Sequence, residues 1–191
     1  MIKRIAATIA VLAVTAGLLS LSVLALFTDT ASVPANAFTT GTVDINTSPT
    51  TALVTFSNMA PGDEVVSPIT VSNDGSLQLR YAVTSTTTEN TLAAQLDLTI
   101  KSGVTACTTG GFDTDGSVLY GPDDLGSTTP GDNVIGNPAQ GDNPPGDRTL
   151  AASASEVLCF KVSLPIATGN TFQNVTTTAT FAFQSEQTTN N

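Results

Sequence analysis

Residues 158–164, with the sequence LCFKVSL, alternate strictly between apolar and polar side chains. The four large apolar residues share one phase of this pattern, and Lys161 lies on the other phase. A period of two is the repeat of a β-strand that buries one face and exposes the other to water. The stretch therefore predicts a strand of an antiparallel sheet with one wet face.

The same alternation recurs along the chain, and in each of the longer windows the charged residues again fall on the polar phase. Thirty-three threonines also favour strands, because a β-branched side chain loses little freedom on a pleated surface. Seven or eight short strands at this spacing predict an all-β fold, an antiparallel β-sandwich of jelly-roll type. The longer windows are 77–83, 96–101 and 175–184, and shorter candidates lie at 39–46, 51–57 and 65–73.

Residues 108–148 differ from the rest of the predicted sandwich domain, which spans 38–191. They are rich in Gly, Pro, Asp and Asn, with a short apolar island at 118–120. This composition predicts a long loop insertion, the part of the domain expected to lose order first. Its glycines recur every five residues, but the residues between them do not repeat, which favours chance phasing over a structural repeat.

The N-terminus has the pattern of an export signal. Lys3 and Arg4 precede an uncharged stretch over residues 5–27. Residues 1–25 are predicted to be a signal peptide cleaved after Ala25, with cleavage after Ala37 as the alternative. The stretch is also long enough to span a bilayer, so a retained anchor stays open and would be the only contact with a membrane.

Charge excludes some classes of partner. Loss of Lys3 and Arg4 leaves four basic residues against sixteen acidic ones. Such a surface repels phosphate backbones, so no nucleic-acid partner is expected. It also offers no basic patch to anionic lipids.

Cys107 and Cys159 are the only cysteines. In an exported protein an even pair predicts a disulfide, which here would tie the base of the glycine-rich insertion. Two free thiols are the alternative.

Two kinds of surface motif are weaker. Asp113 and Asp115 stand at the start of a sequence, DTDGS, that resembles the beginning of a calcium loop, although the rest of that pattern is missing. Ca²⁺ is therefore the only cofactor that the sequence suggests, and an ordinary solvated acidic loop is favoured over it. Asn46 and Asn174 each begin a sequon for N-glycosylation, whose meaning depends on the host.

The chain offers little for catalysis. It has no histidine, so the usual general base and the usual zinc ligand are both missing. None of the common nucleophile, zinc-peptidase or phosphate-loop motifs occurs. No catalytic residue is predicted, and an enzyme is disfavoured.

Several segments, taken in order, resemble the TasA–camelysin family of secreted biofilm-matrix fibre and bundling-pilus subunits. They are 27–29 (FTD), 38–45 (FTTGTVDI), 58–63 (NMAPGD), 69–76 (ITVSNDGS), 79–81 (LRY) and 180–187 (TFAFQSEQ). The resemblance implies a secreted jelly-roll subunit processed by an export signal peptidase. It also implies assembly by donor-strand complementation, in which the N-terminal strand of one subunit completes the sheet of the next. Part of the family carries a metallopeptidase label, from which a chain without histidine departs.

Residues 26–37 are compatible with such a donor arm. Phe27, Ala31 and Val33 share one phase of an extended segment, with Asp29 as the exception, so one side of it is largely apolar. A strand of this kind can fill an exposed sheet edge, with main-chain hydrogen bonds supplying affinity. A disordered leader is the alternative.

The leading hypothesis is a non-enzymatic structural subunit, secreted to the extracellular matrix or cell surface, whose partners are copies of itself or related matrix subunits. The rivals are a monomeric adhesin or calcium-binding module that uses the 108–148 loop, and a secreted peptidase of the camelysin type.

Overall fold

The computed structural model describes residues 39–50, 59–139, 141 and 145–188. The described residues from Thr40 onward belong to one compact unit. The other unit, Met1–Thr39, lies outside the described residues except for Thr39, and so does the predicted strand at 51–57.

Nine strands and very little helix make up the described chain. The strands are β1 (Ile45–Ser48), β2 (Glu64–Asn73), β3 (Leu79–Thr87), β4 (Asp97–Ser102), β5 (Ser117–Asp124), β6 (Asp132–Ile135), β7 (Arg148–Leu150), β8 (Ser155–Ser163) and β9 (Ala179–Gln187). One helical turn, α1 (Thr109–Phe112), precedes β5, and a 3₁₀ turn at Asn170–Phe172 precedes β9.

The strands form two antiparallel sheets. The large sheet has the order β1-β2-β8-β4-β5. In the small sheet β9 pairs with β3 along its whole length, from Leu79 opposite Gln187 to Thr87 opposite Ala179. The short strands β6 and β7 pair with different parts of β3 and therefore share its other side.

This strand order is that of an immunoglobulin-type sandwich. In that fold, strands A, B, E and D form one sheet and strands C, F and G form the other. β1, β2, β8 and β4 take the positions of A, B, E and D, and β3 and β9 take those of C and F. The all-β antiparallel sandwich is confirmed, and the strand order refines the jelly-roll expectation. No described strand takes the position of G beside β9.

The core lies between the sheets and contains the apolar phase that the alternation predicted. Leu158 and Phe160 of β8 are fully buried and meet Leu79, Tyr81 and Val83 of β3 in one apolar cluster. Burial of a large apolar side chain contributes about 1.5 to 3 kcal/mol, so this cluster holds the sheets together. The alternation thus identified the core face of both strands correctly.

The side chains on the polar phase of β3 were predicted to face water, but they are largely buried. Arg80 is only 4% exposed, and almost the whole strand is buried. The cause is the chain between β6 and β7, which brings Asp147 to 3.8 Å from the Arg80 guanidinium. Alternation predicts which face of the sheet a side chain lies on. It does not predict whether a segment distant in the sequence covers that face.

The prediction of one long loop over residues 108–148 is also wrong, because part of this range forms strands. It contains β5 and β6 and leads into β7, so it is a small β insertion between β4 and β8. The apolar island at 118–120 lies in β5 and pairs with β4. Every glycine of the five-residue series from Gly116 to Gly146 has a positive φ. At Gly121, a Cβ would lie 1.9 Å from the Leu98 carbonyl oxygen, so the close approach of β5 to β4 requires glycine there.

Candidate functional site

The outer edge of β9 is a long strand edge on which no described strand pairs. β9 has nine residues, ATFAFQSEQ, without proline or a basic residue. Its inner edge is fully paired with β3. A strand edge of this length, on which no described strand pairs, presents backbone N–H and C=O groups that can take up another strand.

Both edges of the large sheet, β5 and β1, are protected. β5 contains Pro122, register irregularities against β4 and two consecutive acids, Asp123 and Asp124. β1 is only four residues long and is followed by Pro49. Short strands, prolines, irregular pairing and charges are the usual means by which an edge is closed to further pairing. β9 therefore differs from its counterparts.

Two aromatic side chains of β9 lie at the rim of the core. Phe181 packs edge-on against buried Phe160 with ring centroids 5.0 Å apart, and Phe183 lies 6.1 Å from Tyr81. Both β9 rings remain half-buried although their partners are almost fully buried. The rim therefore has apolar surface that further apolar side chains could cover.

The one charged residue of β9 is turned away from a possible partner strand. The Glu186 carboxylate accepts from Arg80 Nε at 2.8 Å and from the backbone N–H of Gly141 at 3.0 Å. The Gly141 N–H, followed by the Arg80 guanidinium, lowers the pKa of Glu186 below its ordinary value. Glu186 is therefore ionised and engaged within the subunit, which leaves the free edge without an uncompensated charge.

A second feature lies on the outer face of the large sheet, where the segment from residue 103 to residue 116 is fastened. Cys107 and Cys159, predicted to pair, form a disulfide between this segment and β8. Next to it, Phe112 is 1% exposed and has Lys101 and Lys161 at 4.7 and 4.8 Å from its ring centroid. Cation–π contacts and the disulfide together hold α1 on the sheet.

Asp113 and Asp115, the predicted calcium ligands, have partners inside the protein. Asp113 accepts from Lys161 Nζ at 2.9 Å, which lowers the pKa of its carboxyl group. Asp115 accepts from the side chain and backbone of Thr105, and these bonds lower its pKa as well. Over the described ranges, no group of three or more His, Cys, Asp or Glu residues could hold a metal ion. Calcium binding stays a prediction without a supporting contact.

Another group of acids surrounds the end of β5. Burial and the charges of Asp123, Asp132 and Asp124 raise the pKa of Tyr120 to about 12. Burial and the charges of Asp123, Asp132 and Asp97 raise the pKa of Asp124. Asp97 lies directly opposite Asp124 in the β4–β5 pair. This arrangement is repulsive rather than a formed binding site.

Several predicted residues lie outside the described part of the chain. These are the arm residues Phe27, Ala31 and Val33 and the cleavage positions Ala25 and Ala37. In the described portion, no helix is long and apolar enough to cross a membrane. Sequence reasoning missed β9 as a candidate site, because an edge is defined by strand order and not by a motif.

The described residues form an antiparallel β-sandwich with the strand order of an immunoglobulin-type domain, and none of the described strands occupies the G position beside β9. A family model described as camelysin metallo-endopeptidase matches residues 1–100. The chain belongs to this family, which confirms the resemblance to the TasA–camelysin proteins. No match was found among curated proteins.

Among solved structures, the chain is similar to the ASH / PapD-like domain of human CEP192 (PapD-like domain 7) at 14% identity. The alignment covers 85% of this chain and 95% of that chain, with a TM-score of 0.29. The immunoglobulin-type order is defined by the strand pairing itself.

The peptidase description of the family does not fit the residues of this chain. Catalytic zinc is usually held by histidines with a carboxylate or cysteine, and the chain has no histidine. Both cysteines are joined in the disulfide. A zinc peptidase site of the usual kind therefore has no ligand set here.

Proposed function

We propose that this protein is a secreted, non-enzymatic structural subunit of extracellular fibres or pili. In this proposal the arm, residues 26–37, adds as a strand to β9 of a neighbouring copy. The observation that carries it is the outer edge of β9, on which no described strand pairs, at the position where an immunoglobulin-type sandwich has strand G. Membership in the camelysin family supports a secreted or surface protein.

The dimensions of the two segments are compatible. A nine-residue strand such as β9 is about 30 Å long, and a twelve-residue arm in strand conformation reaches about 40 Å. The arm can therefore cover the whole edge and still leave residues for the connection. Phe27, Ala31 and Val33, which share a phase that only Asp29 interrupts within residues 27–33, would cover the half-buried rings of Phe181 and Phe183.

Assembly of this kind uses different surfaces on the two partners. The arm of one copy meets the edge of another, so each added subunit presents a new free edge. Heterologous contacts that do not close into a ring give open filaments. The net negative charge slows association until this specific contact forms.

Deletion of the arm tests the proposal. The mature chain beginning at Leu26 is expected to form filaments, and the chain beginning at Phe38 is expected to remain monomeric by sedimentation and electron microscopy. A synthetic peptide of residues 26–37, added to the shortened chain, should bind and raise its melting temperature, because a ligand of the folded state stabilises it. Filaments from the shortened chain would contradict the proposal.

The phase of the arm supplies a matched control. Val33→Asp introduces a charge on the apolar phase, whereas Ser32→Asp introduces the same charge on the opposite phase. We expect the first peptide to lose binding, because an unpaired carboxylate would be buried at the rim of the core, and the second peptide to bind. Equal binding by both peptides, measured by calorimetry, would count against a strand with a buried face.

The non-enzymatic part of the proposal rests on the missing ligand set. The purified mature protein is expected to leave casein intact with and without added Zn²⁺. Chelator-sensitive cleavage by the pure protein would overturn this part and revive the camelysin-type peptidase.

A further inference from the structure

We infer that Asn174 is an acceptor for N-linked glycan transfer on the folded protein and that Asn46 is not. Both asparagines begin a sequon, Asn174-Val175-Thr176 and Asn46-Thr47-Ser48. The sequence alone does not distinguish them. The structure does, through backbone conformation and through the partners of the two side-chain amides.

Asn174 lies in an exposed connection between two ordered elements. The preceding 3₁₀ turn ends where the Gln173 N–H donates to the Asn170 carbonyl. Asn174 itself has a φ of 61°, a left-handed conformation that asparagine tolerates better than most residues. Strand-like pairing resumes at Thr178, which exchanges hydrogen bonds with Thr88.

The sequon between these elements is open to an enzyme. Asn174, Val175 and Thr176 are all exposed. Within the described chain, neither the Asn174 amide nor the backbone of residues 174–177 forms a hydrogen bond that binding to a transferase would have to break. Sequons are used where they project from the surface of a secreted protein, which is the situation of Asn174.

Asn46, in contrast to Asn174, lies in a paired strand and its side-chain amide is hydrogen-bonded. It lies in β1, where it pairs with Ser72 of β2. Its Nδ2 group, which would have to bond to the sugar, donates to Asp74 at 3.1 Å, and its Oδ1 accepts from the Thr47 N–H at 2.8 Å. The third sequon residue, Ser48, is the last residue of the strand and precedes Pro49. Asn46 and Ser48 are exposed, but transfer to Asn46 would have to break the hydrogen bond from Nδ2 to Asp74 at a residue that the ladder with β2 holds in extended conformation.

The donor is an oligosaccharide linked to a polyprenyl phosphate or diphosphate. Asn174 Nδ2 forms the new bond to C1 of the first sugar, and the bond between C1 and the phosphate oxygen breaks. The lipid phosphate leaves with that electron pair, and one amide proton passes to a base of the transferase. No oxidant or reductant is needed.

The test uses the folded mature protein, a single-subunit oligosaccharyltransferase and a lipid-linked oligosaccharide, with intact mass and tryptic mapping as the readout. Trypsin cuts after Arg80 and Lys161, so the two sequons fall on different peptides. We expect a single glycan on the peptide that contains Asn174. Asn46→Gln should leave its occupancy unchanged.

Two variants remove the acceptor in different ways. Asn174→Gln removes the amide, and Thr176→Ala leaves Asn174 in place but removes the hydroxyl that defines the sequon. Both should reduce transfer to background while the melting temperature stays that of the parent, and Thr176→Ser should retain transfer. Occupancy at Asn46 equal to that at Asn174 would overturn the inference. So would a folded protein that is not modified when the free peptide 170–178 is.

The unfolded chain tests the structural reason. After reduction and denaturation, β1 no longer protects Asn46, so its occupancy should rise relative to that of Asn174. An unchanged ratio would mean that the fold does not select the site, which would also overturn the inference.

Discussion

Asp113 and Asp124 lie in opposite electrostatic environments, which lower the pKa of the first and raise the pKa of the second. Asp113 lies beside Lys161, which favours its charged form, whereas burial and the neighbouring carboxylates disfavour the charged form of Asp124. A carboxyl group whose pKa is raised by folding makes the charged folded state less stable at neutral pH. The two acids are therefore expected to respond in opposite directions when their charge is removed.

Asp124→Asn is expected to stabilise the protein at pH 7, by roughly 0.5 kcal/mol, because it removes like-charge repulsion with the cross-strand partner Asp97. The gain should shrink in high salt and disappear in acid, where Asp124 is protonated. Denaturant unfolding measures the free energy. Asp113→Asn is the matched comparison and should destabilise, and the same sign for both variants would contradict the assignment.

Glu186→Gln is expected to lower the melting temperature at pH 7, because buried Arg80 loses a charged partner. The folded pKa of Glu186 is lower than its ordinary value of 4.5. Its stabilisation is therefore complete above that value and is lost as the pH falls through the folded pKa. The difference between variant and parent should vanish in acid, and a constant difference at every pH in thermal unfolding would count against this contact.

At the scale of elements, the insertion between β4 and β8 is held at two places. The disulfide and Phe112 fasten the segment before β5 to the large sheet, and Asp147 and Gly141 fasten the segment before β7 to the small sheet. A glycine-rich sequence can be ordered in this way because each anchor is formed with a strand that is distant in the sequence. The sequence composition contains no sign of those anchors.

Replacement of both Cys107 and Cys159 by serine is expected to destabilise the protein by up to about 4 kcal/mol, since the bond joins residues 52 apart in sequence. The loss should be local at first. Hydrogen exchange should rise in residues 103–116 before it rises in β8, because β8 is paired on both sides by β2 and β4. Unchanged exchange in that segment would show that Phe112 alone holds it.

Much of the sandwich could be predicted from local sequence patterns, whereas much of the candidate site could not. The alternation in residues 158–164 predicted both a strand and its buried face, and the cysteine pair predicted the disulfide. The burial of Arg80 and the strands within 108–148 could not be predicted, because both depend on pairing between distant segments. The same holds for the free edge, which exists only once the order β1-β2-β8-β4 and the pair β3–β9 are known.

At the scale of the whole molecule, two features support the proposed assembly. No described strand pairs with the outer edge of β9, and the sequence before the domain contains a segment with one largely apolar side, which Asp29 interrupts. A strand supplied by a neighbour would pair with the outer edge of β9 and cover the rings at its rim. The glycan acceptor at Asn174 precedes β9 and is not part of that edge.

The most direct measurement is a cross-link from the arm in assembled filaments. A photo-reactive amino acid at position 33 of unlabelled subunits is mixed with ¹⁵N-labelled subunits that lack it, and the linked peptides are identified by mass. The account predicts links from the arm to labelled peptide 162–191, within β9, because the edge belongs to another copy. Links confined to one chain, or links to β1 or β5 of the neighbour, would contradict it.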